Sequence, residues 1–587
     1  MSAPKRLKGI PASPKIAIGR AFVYEREVKV ERRKISEAEV KGELKRFEEA
    51  VRKSKEQLNR LRKKTAMDIG EKEANIFLAH RLMLEDPTFL NEVRKNIESG
   101  KNAEAAVQDA TKNLVSMFEK MKDEYFRERA IDVQDVGERV IRNLTGRSVG
   151  TLADLREKVI LIAETLTPSD TANMNKENVL GFATDKGGLT SHVAIISREY
   201  GIPAVVGLGN ITKNVKPDDM IIVDGNEGVV IVNPDEATLK RYRAEKVRLE
   251  RREAELKRIA MLPAVTLDGH KVEVAANIGG PMEVDFVLSQ GAGSVGLFRT
   301  EFLYRGRSSL PTEDEQFKAY KTVAEKMKGR PVIIRTLDIG GDKPPPYLKM
   351  PRELNPFLGW RAIRISLDRP DIFKTQLRAI LRAGVYGDLK VMYPMISSVE
   401  EVRAANDLLE ESKRELESRG IPFGDVEVGI MIEVPSAAII ADSLAREVKF
   451  FSIGTNDLTQ YTLAVDRTNE RISRLFDTFH PALLRLIKGV IDASHAAGIW
   501  TGMCGEFAGD PLATPLLLGL GLDEFSMNAI SIPKVKEVVR SLKYSDAREM
   551  AEKALNLSTI EETRELAKEF LAERARGSSV ELSGCDL

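Results

Sequence analysis

Residues 427–457 read EVGIMIEVPSAAIIADSLAREVKFFSIGTND and carry the pattern that decides the fold of the larger part of the chain. Two short apolar runs, EVGIMIEV and FFSIGTND, enclose a stretch with helical spacing. This order predicts a strand, a helix and a second strand. The same alternation of strand and helix patterns extends from about residue 263 to about residue 575.

Eight strand candidates occur in this region. They are VEVAANI (272–278), SVGLFRT (294–300), PVIIRTLDI (331–339), KVMYPMI (390–396), EVGIMIEV (427–434), FFSIGTND (450–457), IWTGMCGE (499–506) and DEFSMNA (523–529). Eight strand–helix units over some 300 residues favour a (β/α)8 barrel, the TIM barrel. A doubly wound open sheet is the competing fold, because counting strands cannot prove that a sheet closes.

The rest of the chain consists of regions of three kinds, which differ in composition and in the spacing of their apolar residues. Residues 30–145 have few Gly or Pro and are dense in Lys, Arg and Glu, and their apolar residues recur at helical spacing, which predicts a helical bundle. The spacing is seen in Ile76, Leu78, Leu82 and Leu84. Residues 1–28 and 148–235 contain short β-runs, and we expect them to fold together around the inserted bundle. Residues 236–261 lack Gly and Pro and predict a charged linker helix.

These patterns predict an α/β multidomain protein. Its expected segments are an α/β domain of residues 1–29 plus 146–235, a helical subdomain of residues 30–145, a linker helix of residues 236–262, a barrel domain of residues 263–575 and a tail of residues 576–587.

Composition excludes several classes of function. The chain has 587 residues, 42% hydrophobic and 30% charged, and its 90 basic and 89 acidic residues give a net charge of +1. That balance leaves no electrostatic signature for binding nucleic acid. Only two cysteines occur, and neither a signal peptide nor an apolar run of membrane-spanning length is present. We therefore expect a cytoplasmic protein without membrane insertion.

One glycine motif matches a dinucleotide-binding pattern but lies in the wrong structural context. Residues 291–296 read GAGSVG, which matches the dinucleotide-binding pattern, but a helical run precedes the glycines and a strand follows them. A dinucleotide site needs the opposite order. We therefore interpret these glycines as a helix-to-strand turn.

His192 differs from the other four histidines in its surroundings. It lies in DKGGLTSHVAIIS (185–197), where Gly187 and Gly188 allow a tight turn, and Thr190 and Ser191 can cap a helix that begins near His192. A helix N-terminus suits a phosphate group, and a neutral imidazole can attack phosphorus. Two interpretations remain open from spacing alone: a phosphoryl-accepting histidine, or a residue that only belongs to a helix cap.

The other histidines have more ordinary settings. His80 lies in the charged helical region and is interpreted as a surface residue, and His270 lies in a turn. His495 lies in a helix, and His480 precedes a proline, which indicates a helix cap or a loop.

Polar residues gather at the ends of the predicted barrel strands, where the active site of a TIM barrel forms. They are Arg299, Glu301, Arg335, Asp338, Glu433, Asn456, Asp457, Arg467, Cys504 and Glu506. Arginines bind phosphate oxygens in pairs, and carboxylates are the hard ligands that Mg²⁺ prefers. Each residue alone has a plainer explanation, such as a surface arginine, a salt bridge or a small buried thiol. Together they predict a phosphate-binding Mg²⁺ site.

The whole chain also resembles a known family. The segments that carry the resemblance are GIPASPKIAIGRA (9–21), LTPSDTANM (166–174), GGLTSHVAI (187–195), GLFRTEFLY (296–304), IIRTLDIGGDK (333–343), NPFLGWRAIR (355–364), EVGIMIEVPSA (427–437), IGTNDLTQYTLAVDR (453–467) and WTGMCGEFAGD (500–510). In this order they resemble Enzyme I of the bacterial phosphoenolpyruvate:sugar phosphotransferase system, the phosphoenolpyruvate–protein phosphotransferases.

The resemblance implies a role for each site residue. His192 would carry the phosphoryl group, supported by Thr171 and Thr190, in a swivelling α/β domain. Glu433 and Asp457 would bind Mg²⁺, and Cys504 would protonate the enolate to release pyruvate. The residues that would hold phosphoenolpyruvate are Arg299, Arg335, Asn456, Asp457, Arg467, Lys343 and Arg361.

The resemblance also implies partners and exposes two departures. The helical subdomain would bind the phosphocarrier protein HPr, and the barrel would form a homodimer. His192 would swing between the barrel and HPr, with the linker helix as the connection. Lys15 stands where the family usually has Gly, and Leu189 stands where Arg is common beside the active histidine.

Two rival functions are weighed against this one. Phosphoenolpyruvate synthase and pyruvate phosphate dikinase share the T-S-H segment and the barrel, but they need an ATP-binding domain that the residues before His192 do not provide. A non-catalytic regulator with the same fold would not need His192, Cys504 and the arginines.

Overall fold

The computed structural model describes residues 4–24, 30–68, 71–120, 124–146, 152, 155–189, 191–340, 346–348 and 353–577. The chain divides into two compact units, residues 1–252 and 253–587, and each is described by itself. The two-unit division does not test the five expected segments, whose limits stay predictions. The predicted tail lies mostly outside the described residues, and Cys585 lies there too.

The first unit contains an eight-stranded mixed sheet. Its strands are β1 Lys5–Lys8, β2 Ile10–Ser13, β3 Ile16–Tyr24, β4 Val159–Ala163, β5 Val179–Thr184, β6 Ala204–Val206, β7 Met220–Asp224 and β8 Val229–Val232, in the spatial order β1-β8-β7-β3-β4-β5-β6-β2. Strand β3 pairs in parallel with β4, although more than 130 residues separate them in sequence. The β-runs of the N-terminus and of residues 159–232 therefore form one sheet, as predicted.

The residues between β3 and β4 are helical, and further helices cover the sheet. The inserted helices are α1 Glu37–Asp68, α2 Glu71–Met83, α3 Pro87–Glu98, α4 Ala103–Glu119 and α5 Glu124–Thr145. Three short helices follow within the sheet region, namely α6 Pro168–Asn173, α7 His192–Tyr200 and α8 Ile211–Asn214. Buried apolar residues of α1 to α5 form a core of their own, which includes Phe47, Phe77 and Val140.

Helix α2 buries a different face from the one the sequence suggested. Leu82 is 56% exposed, whereas Ala74, Phe77 and His80 are buried. The interpretation of His80 as a surface residue is therefore wrong. The prediction counted only apolar residues, and a histidine occupies one position of the buried stripe.

The second unit is a closed barrel of eight parallel strands. They are β9 Glu273–Ile278, β10 Val295–Phe298, β11 Val332–Arg335, β12 Leu389–Tyr393, β13 Glu427–Ile432, β14 Phe450–Ile453, β15 Trp500–Met503 and β16 Glu524–Met527. Strand β16 pairs with β9, with Glu524 opposite Glu273, and this ladder closes the sheet. The TIM barrel is confirmed, and the open sheet is excluded.

Helices surround the barrel and one long helix precedes it. The long helix is α9 Glu236–Ala260. The others are α10 Val284–Ser289, α11 Glu313–Met327, α12 Ile363–Asp368, α13 Pro370–Ala383, α14 Val399–Ser418, α15 Pro435–Ile439, α16 Ala441–Leu444, α17 Thr455–Leu463, α18 Pro481–Ala496, α19 Thr514–Leu520, α20 Ile532–Ser541, α21 Tyr544–Ala554 and α22 Ile560–Gly577. Helix α9 lies within the residues expected to form a linker helix, 236–262, and its role as a linker stays a prediction.

Both ends of α9 are attached. Tyr242 is buried with Leu239 and Leu249 against apolar residues of the sheet. At the other end, the buried Lys536 ammonium donates to the carbonyl oxygens of Ala260 at 2.7 Å, Leu262 at 3.0 Å and Gly291 at 2.6 Å. These three bonds use all the donors of the lysine.

The G-x-G-x-x-G motif forms the predicted helix-to-strand turn. It connects α10 to β10, and Gly291 has a positive φ of 82°. A Cβ atom at Gly291 would lie 1.8 Å from the Ala260 carbonyl oxygen, so close backbone packing requires glycine there.

Candidate active site

The polar residues at the strand ends of the barrel surround one cavity of about 390 Å³. Its lining residues are Leu297, Arg299, Arg335, Asp338, Arg361, Met431, Glu433, Gly454, Asn456, Asp457, Arg467, Phe476, Cys504, Gly505 and Glu506. Of the sequence-predicted barrel residues that the structure describes, all but Glu301 line this cavity. Lys343 lies outside the described residues.

Two arginines of the cavity are fixed by one carboxylate. Asp338 lies 2.9 Å from a guanidinium nitrogen of Arg335 and 2.9 Å from one of Arg361. Arg335 also contacts Glu301 at 2.8 Å. Burial acts to raise the pKa of Asp338, but the two guanidinium groups outweigh it and lower this pKa. The arginines are therefore held in place before any ligand binds.

Glu433 and Asp457 are two further buried carboxylates of the cavity, and Asp457 lies 3.5 Å from a guanidinium nitrogen of Arg361. Glu433 is 1% exposed and accepts a hydrogen bond from the Met395 backbone N–H at 2.6 Å. Burial, and next the charges of Asp457 and Asp338, raise the pKa of Glu433 well above its usual range. Two buried carboxylates that repel one another suit a divalent cation between them.

The protein offers a small number of metal ligands. Within the described residues, no group of three or more His, Cys, Asp or Glu side chains is arranged to hold a metal ion. Mg²⁺ is commonly bound by one or two carboxylates, with phosphate oxygens and water in the remaining positions. The pair of Glu433 and Asp457 fits that type of site.

The Cys504 thiol is buried at the cavity floor. Cys504 is 4% exposed, and burial raises the pKa of its thiol to about 11, which keeps the thiol protonated at neutral pH. The Asn277 side-chain amide donates through Nδ2 to the Cys504 backbone oxygen at 3.0 Å, and its Oδ1 accepts from the Ser526 hydroxyl at 2.7 Å. This chain of contacts fixes the backbone that carries the thiol.

In the first unit, His192 is the first residue of α7. The Ser191 hydroxyl caps the helix by accepting from the Ala194 N–H at 3.4 Å. Gly187 has φ 121°, and a Cβ there would lie 3.1 Å from the Ser191 hydroxyl oxygen, so the turn before the cap favours glycine. Thr190 lies outside the described residues.

The His192 imidazole contacts one hydroxyl. Its Nε2 lies 2.7 Å from Thr171 Oγ1, and that oxygen also lies 3.1 Å from the Pro168 carbonyl oxygen. Thr171 is on α6, which begins with a capping box between Thr167 and Asp170. Burial lowers the pKa of His192 to about 4, so the ring is neutral near pH 7 and has a lone pair for attack.

The remaining histidines lie elsewhere. His480 caps α18, and its Nδ1 accepts from the Ala482 N–H at 3.1 Å, as one of its two interpretations predicted. His270 stacks on Tyr544, and His495 contacts Asp523 at 2.8 Å. None of these side chains lines the cavity.

Comparison with known proteins gives the family. Three family models match the chain: the N-terminal domain of PEP-utilising enzymes over residues 8–129, their mobile domain over residues 155–228, and their PEP-binding domain over residues 253–544. The phosphoenolpyruvate-protein phosphotransferase of Listeria innocua is 50% identical to the chain, over 97% of the chain and 100% of its own length. The chain belongs to the phosphoenolpyruvate-protein phosphotransferase family.

Other members of the family agree in length and similarity. The proteins of the same name from Bacillus subtilis and Haemophilus influenzae are 50% and 49% identical to the chain, over 96% and 97% of it and 99% and 100% of their own lengths. The predicted family and the predicted enzyme class, a phosphotransferase, are confirmed. The alternative of a phosphoenolpyruvate synthase or pyruvate phosphate dikinase is not favoured. Among the described helices, none combines the length and apolar character needed to cross a lipid bilayer.

Within this family member, the two departures have different structural settings. Lys15 has φ 85°, a left-handed conformation that glycine adopts at lower cost, and its N–H donates to the Asn226 side chain at 3.1 Å. The Leu189 side chain is 56% exposed three residues before His192. A leucine therefore presents an apolar surface near the histidine.

Sequence reasoning missed the residues that hold the site together. The sequence places Asp338 at a strand end but does not predict its ion pairs, although its spacing of three residues from Arg335 could have indicated one of them. Asn277 was also missed, and its only signal was a polar residue near the end of the strand candidate VEVAANI.

Proposed function

We propose that the chain transfers the phosphoryl group of phosphoenolpyruvate to His192 and then to a histidine of the phosphocarrier protein HPr, releasing pyruvate in the first step of sugar uptake by the phosphotransferase system. The observation that carries the proposal is the barrel cavity, where four arginines and a pair of buried carboxylates surround a protonated thiol. A small phosphorylated acid is the ligand that this combination suits.

Phosphoenolpyruvate would bind through fixed cations. Asp338 holds Arg335 and Arg361 in place. Their guanidinium groups therefore lose little conformational freedom when they bind phosphate oxygens. Arg299 and Arg467 would bind further oxygens, with help from Lys343 and from Asn456. The backbone around Asn456 and Asp457, at the N-terminus of α17, suits the carboxylate of the substrate.

Glu433 and Asp457 would hold Mg²⁺. When bound, the ion would neutralise negative charge on the phosphoryl group during transfer. The buried carboxylates of Glu433 and Asp457 would supply the two protein ligands of the ion.

In the first transfer, a lone pair of the neutral His192 imidazole attacks the phosphorus atom. The bond between phosphorus and the enol oxygen breaks, and its electron pair leaves with the enolate of pyruvate, while a nitrogen–phosphorus bond forms. The reacting atoms must approach to about 3–3.5 Å. Because His192 and the cavity belong to different units, a swing of the His192-bearing unit is part of the proposal.

The enolate then takes a proton. The Cys504 thiol would deliver its proton to the methylene carbon, which yields pyruvate, and the thiolate would regain a proton from water. Burial favours this assignment, because the thiol stays protonated until the enolate forms beside it.

The second transfer needs a protein acceptor. The lone pair of the HPr histidine would attack the phosphorus of phospho-His192, and the nitrogen–phosphorus bond of His192 would break. We assign docking of HPr to the helical subdomain, and self-association as a homodimer to the barrel. A cytoplasmic location remains a prediction from the sequence.

The test is incubation of the purified chain with phosphoenolpyruvate labelled in its phosphate, in the presence of Mg²⁺. Acid-labile, base-stable label is expected on wild type and on the His495→Ala control, and none on His192→Ala. A folded wild-type chain that stays unlabelled, or that carries the label on another side chain, contradicts the proposal.

A further inference from the structure

His80 is a buried histidine that the proposed reaction does not use. It lies on α2, is 0% exposed, and packs edge-on against Phe77 with ring centroids 6.0 Å apart. Two carboxylates of α5 face its ring: Asp132 lies 3.2 Å from Nε2, and Asp135 lies 3.7 Å from Nδ1. The imidazole is therefore placed between two negative charges, away from solvent.

The buried position of the His80 imidazole costs free energy. Within the described part of the chain, neither ring nitrogen of His80 has a hydrogen-bond partner. Buried polar groups without hydrogen bonds are rare in native proteins. Since carboxylate oxygens only accept, the two aspartates place a hydrogen-bond acceptor beside each ring nitrogen of His80.

The group around His80 continues to His192 through direct contacts. Asp135 accepts a hydrogen bond from the Ser169 hydroxyl at 2.5 Å, and Arg139 donates to the same hydroxyl oxygen at 2.6 Å. Ser169 is on α6, two residues before Thr171, whose hydroxyl contacts His192. Helix α6 thus connects the pair of aspartates to the imidazole that the proposed function phosphorylates.

The charges of this group also act on His192. After burial, the largest influences on the pKa of His192 are Asp132 and Asp135, which favour its protonated form, followed by His80, which opposes them, and Asp170. The facing charges are Asp132, Asp135, Arg129 and Arg139 of α5, Asp170 of α6 and His80 of α2. Three carboxylates therefore lie near a residue that would carry a doubly negative phosphoryl group.

We propose that His80 is a positioning residue for the phosphohistidine: its imidazole offsets the charges of Asp132 and Asp135, so that His192 can hold a phosphoryl group beside them. The inference rests on the proposed function and adds a residue to it. Without His80 the two carboxylates repel the phosphoryl group and stabilise a protonated, unreactive His192. The bundle helix α2 thus contributes to the chemistry of a residue on α7.

The first test replaces His80 by glutamine in the full chain, which removes the charge but keeps a polar side chain. The chain is equilibrated with labelled phosphoenolpyruvate, pyruvate and Mg²⁺, and the equilibrium constant for phosphorylation is measured. We expect this constant to fall about tenfold in His80→Gln, the effect of one nearby charge. The pKa of His192, measured by NMR without any phosphoryl donor, should rise.

The second test removes one of the negative charges beside His80 instead of the His80 imidazole. Asp132→Asn alone leaves His80 with one fewer negative neighbour, so the equilibrium constant should rise and the pKa of His192 should fall. The double variant His80→Gln/Asp132→Asn should lie within about threefold of wild type, because both charges of a pair are gone. These opposite signs distinguish charge balance from damage to packing, which would lower the constant in every variant.

His495→Gln is the matched control, since it removes a histidine from a His–Asp pair in the barrel unit. It should match wild type in both measurements, and thermal unfolding should show each variant folded. An unlabelled wild-type chain would overturn the proposed function. A labelled wild type, together with a His80→Gln chain that has an unchanged His192 pKa or is not rescued by Asp132→Asn, would overturn this inference alone. If His80→Gln does not fold, the sign of the Asp132→Asn effect decides.

Discussion

His192 in the first unit and the barrel cavity in the second unit control protonation and charge by different physical means. His192 has one hydroxyl at 2.7 Å, and burial lowers its pKa to about 4. The cavity is lined by four arginines and four carboxylates, several of which are locked in ion pairs. In the first unit, burial keeps the His192 nucleophile neutral. In the cavity, ion pairs keep the arginines and carboxylates charged and in fixed positions. A chain that moves a phosphoryl group needs both, and it keeps them in separate units.

The largest expected effect is at Cys504, the group of the cavity that burial keeps neutral, as it does His192. Cys504→Ala should slow steady-state turnover by about 10²–10⁴-fold, because no acid remains to protonate the enolate. Binding of phosphoenolpyruvate, measured by calorimetry, should be retained. Cys504→Ser serves as a comparison of similar size, and undiminished turnover in both variants would contradict the role.

The next largest effect is expected when the carboxylate that holds two arginines of the cavity is removed. Asp338→Asn removes the partner shared by Arg335 and Arg361, and loss of one partner from a buried ion pair costs about 3–5 kcal/mol. We expect a lower free energy of unfolding, from denaturant titration, and a raised KM for phosphoenolpyruvate. Asp285→Asn is the control, since its ion pair with Lys326 is exposed and should contribute about 0–1 kcal/mol. Equal effects in both variants would be inconsistent with a preorganised cavity.

A smaller effect is expected beside His192. Thr171→Val keeps the shape of the side chain but removes the hydroxyl that orients the ring, which is worth about 1 kcal/mol, or roughly fivefold in rate. Single-turnover labelling of His192 should slow by that factor. Thr322→Val provides the control, because its hydroxyl donates to the Lys318 carbonyl on an exposed helix face. Labelling faster than wild type would show that the contact restrains the nucleophile instead.

A further expected effect is a pH dependence of stability. The pKa of His192 is lowered from 6.5 to about 4 in the folded chain, so between these values the unfolded chain binds the extra proton. The free energy of unfolding contributed by this residue should therefore decrease as the pH falls from about 6.5 to about 4. Comparing wild type with His192→Gln by denaturant titration isolates this contribution, and parallel pH curves for the two chains would refute it.

The sequence predicted the parts of the molecule whose signals are local. All eight barrel strands follow short apolar runs, and the strand-end positions of Arg299, Glu433 and Cys504 follow from where those runs stop. Strand ends of a parallel barrel meet on one face, so the cavity could be assembled without coordinates. Counting strands favoured the barrel but could not prove that it closes, because closure depends on the pairing of β16 with β9 across some 250 residues.

The features that escaped prediction depend on distant partners. His80 is buried beside Asp132 and Asp135, which lie more than 50 residues later in the sequence. Asp338 has a detectable neighbour in Arg335, but its second partner, Arg361, comes 23 residues later in the sequence. A pattern in one sequence does not show which distant residues pair with one another. Apolar periodicity, in contrast, can be recognised within a short stretch of sequence.

The attachment of α9 at both ends has a mechanical consequence. Its early turns are packed on the sheet through Leu239, Tyr242 and Leu249, and Lys536 holds its last carbonyl. Neither terminus is left as a free pivot. Any reorientation of one unit against the other must then be absorbed by bending or local unwinding within the helical turns between Leu249 and Ala260. The stiffness of those few turns, set by their charged side chains, would govern how often the nucleophile changes partners.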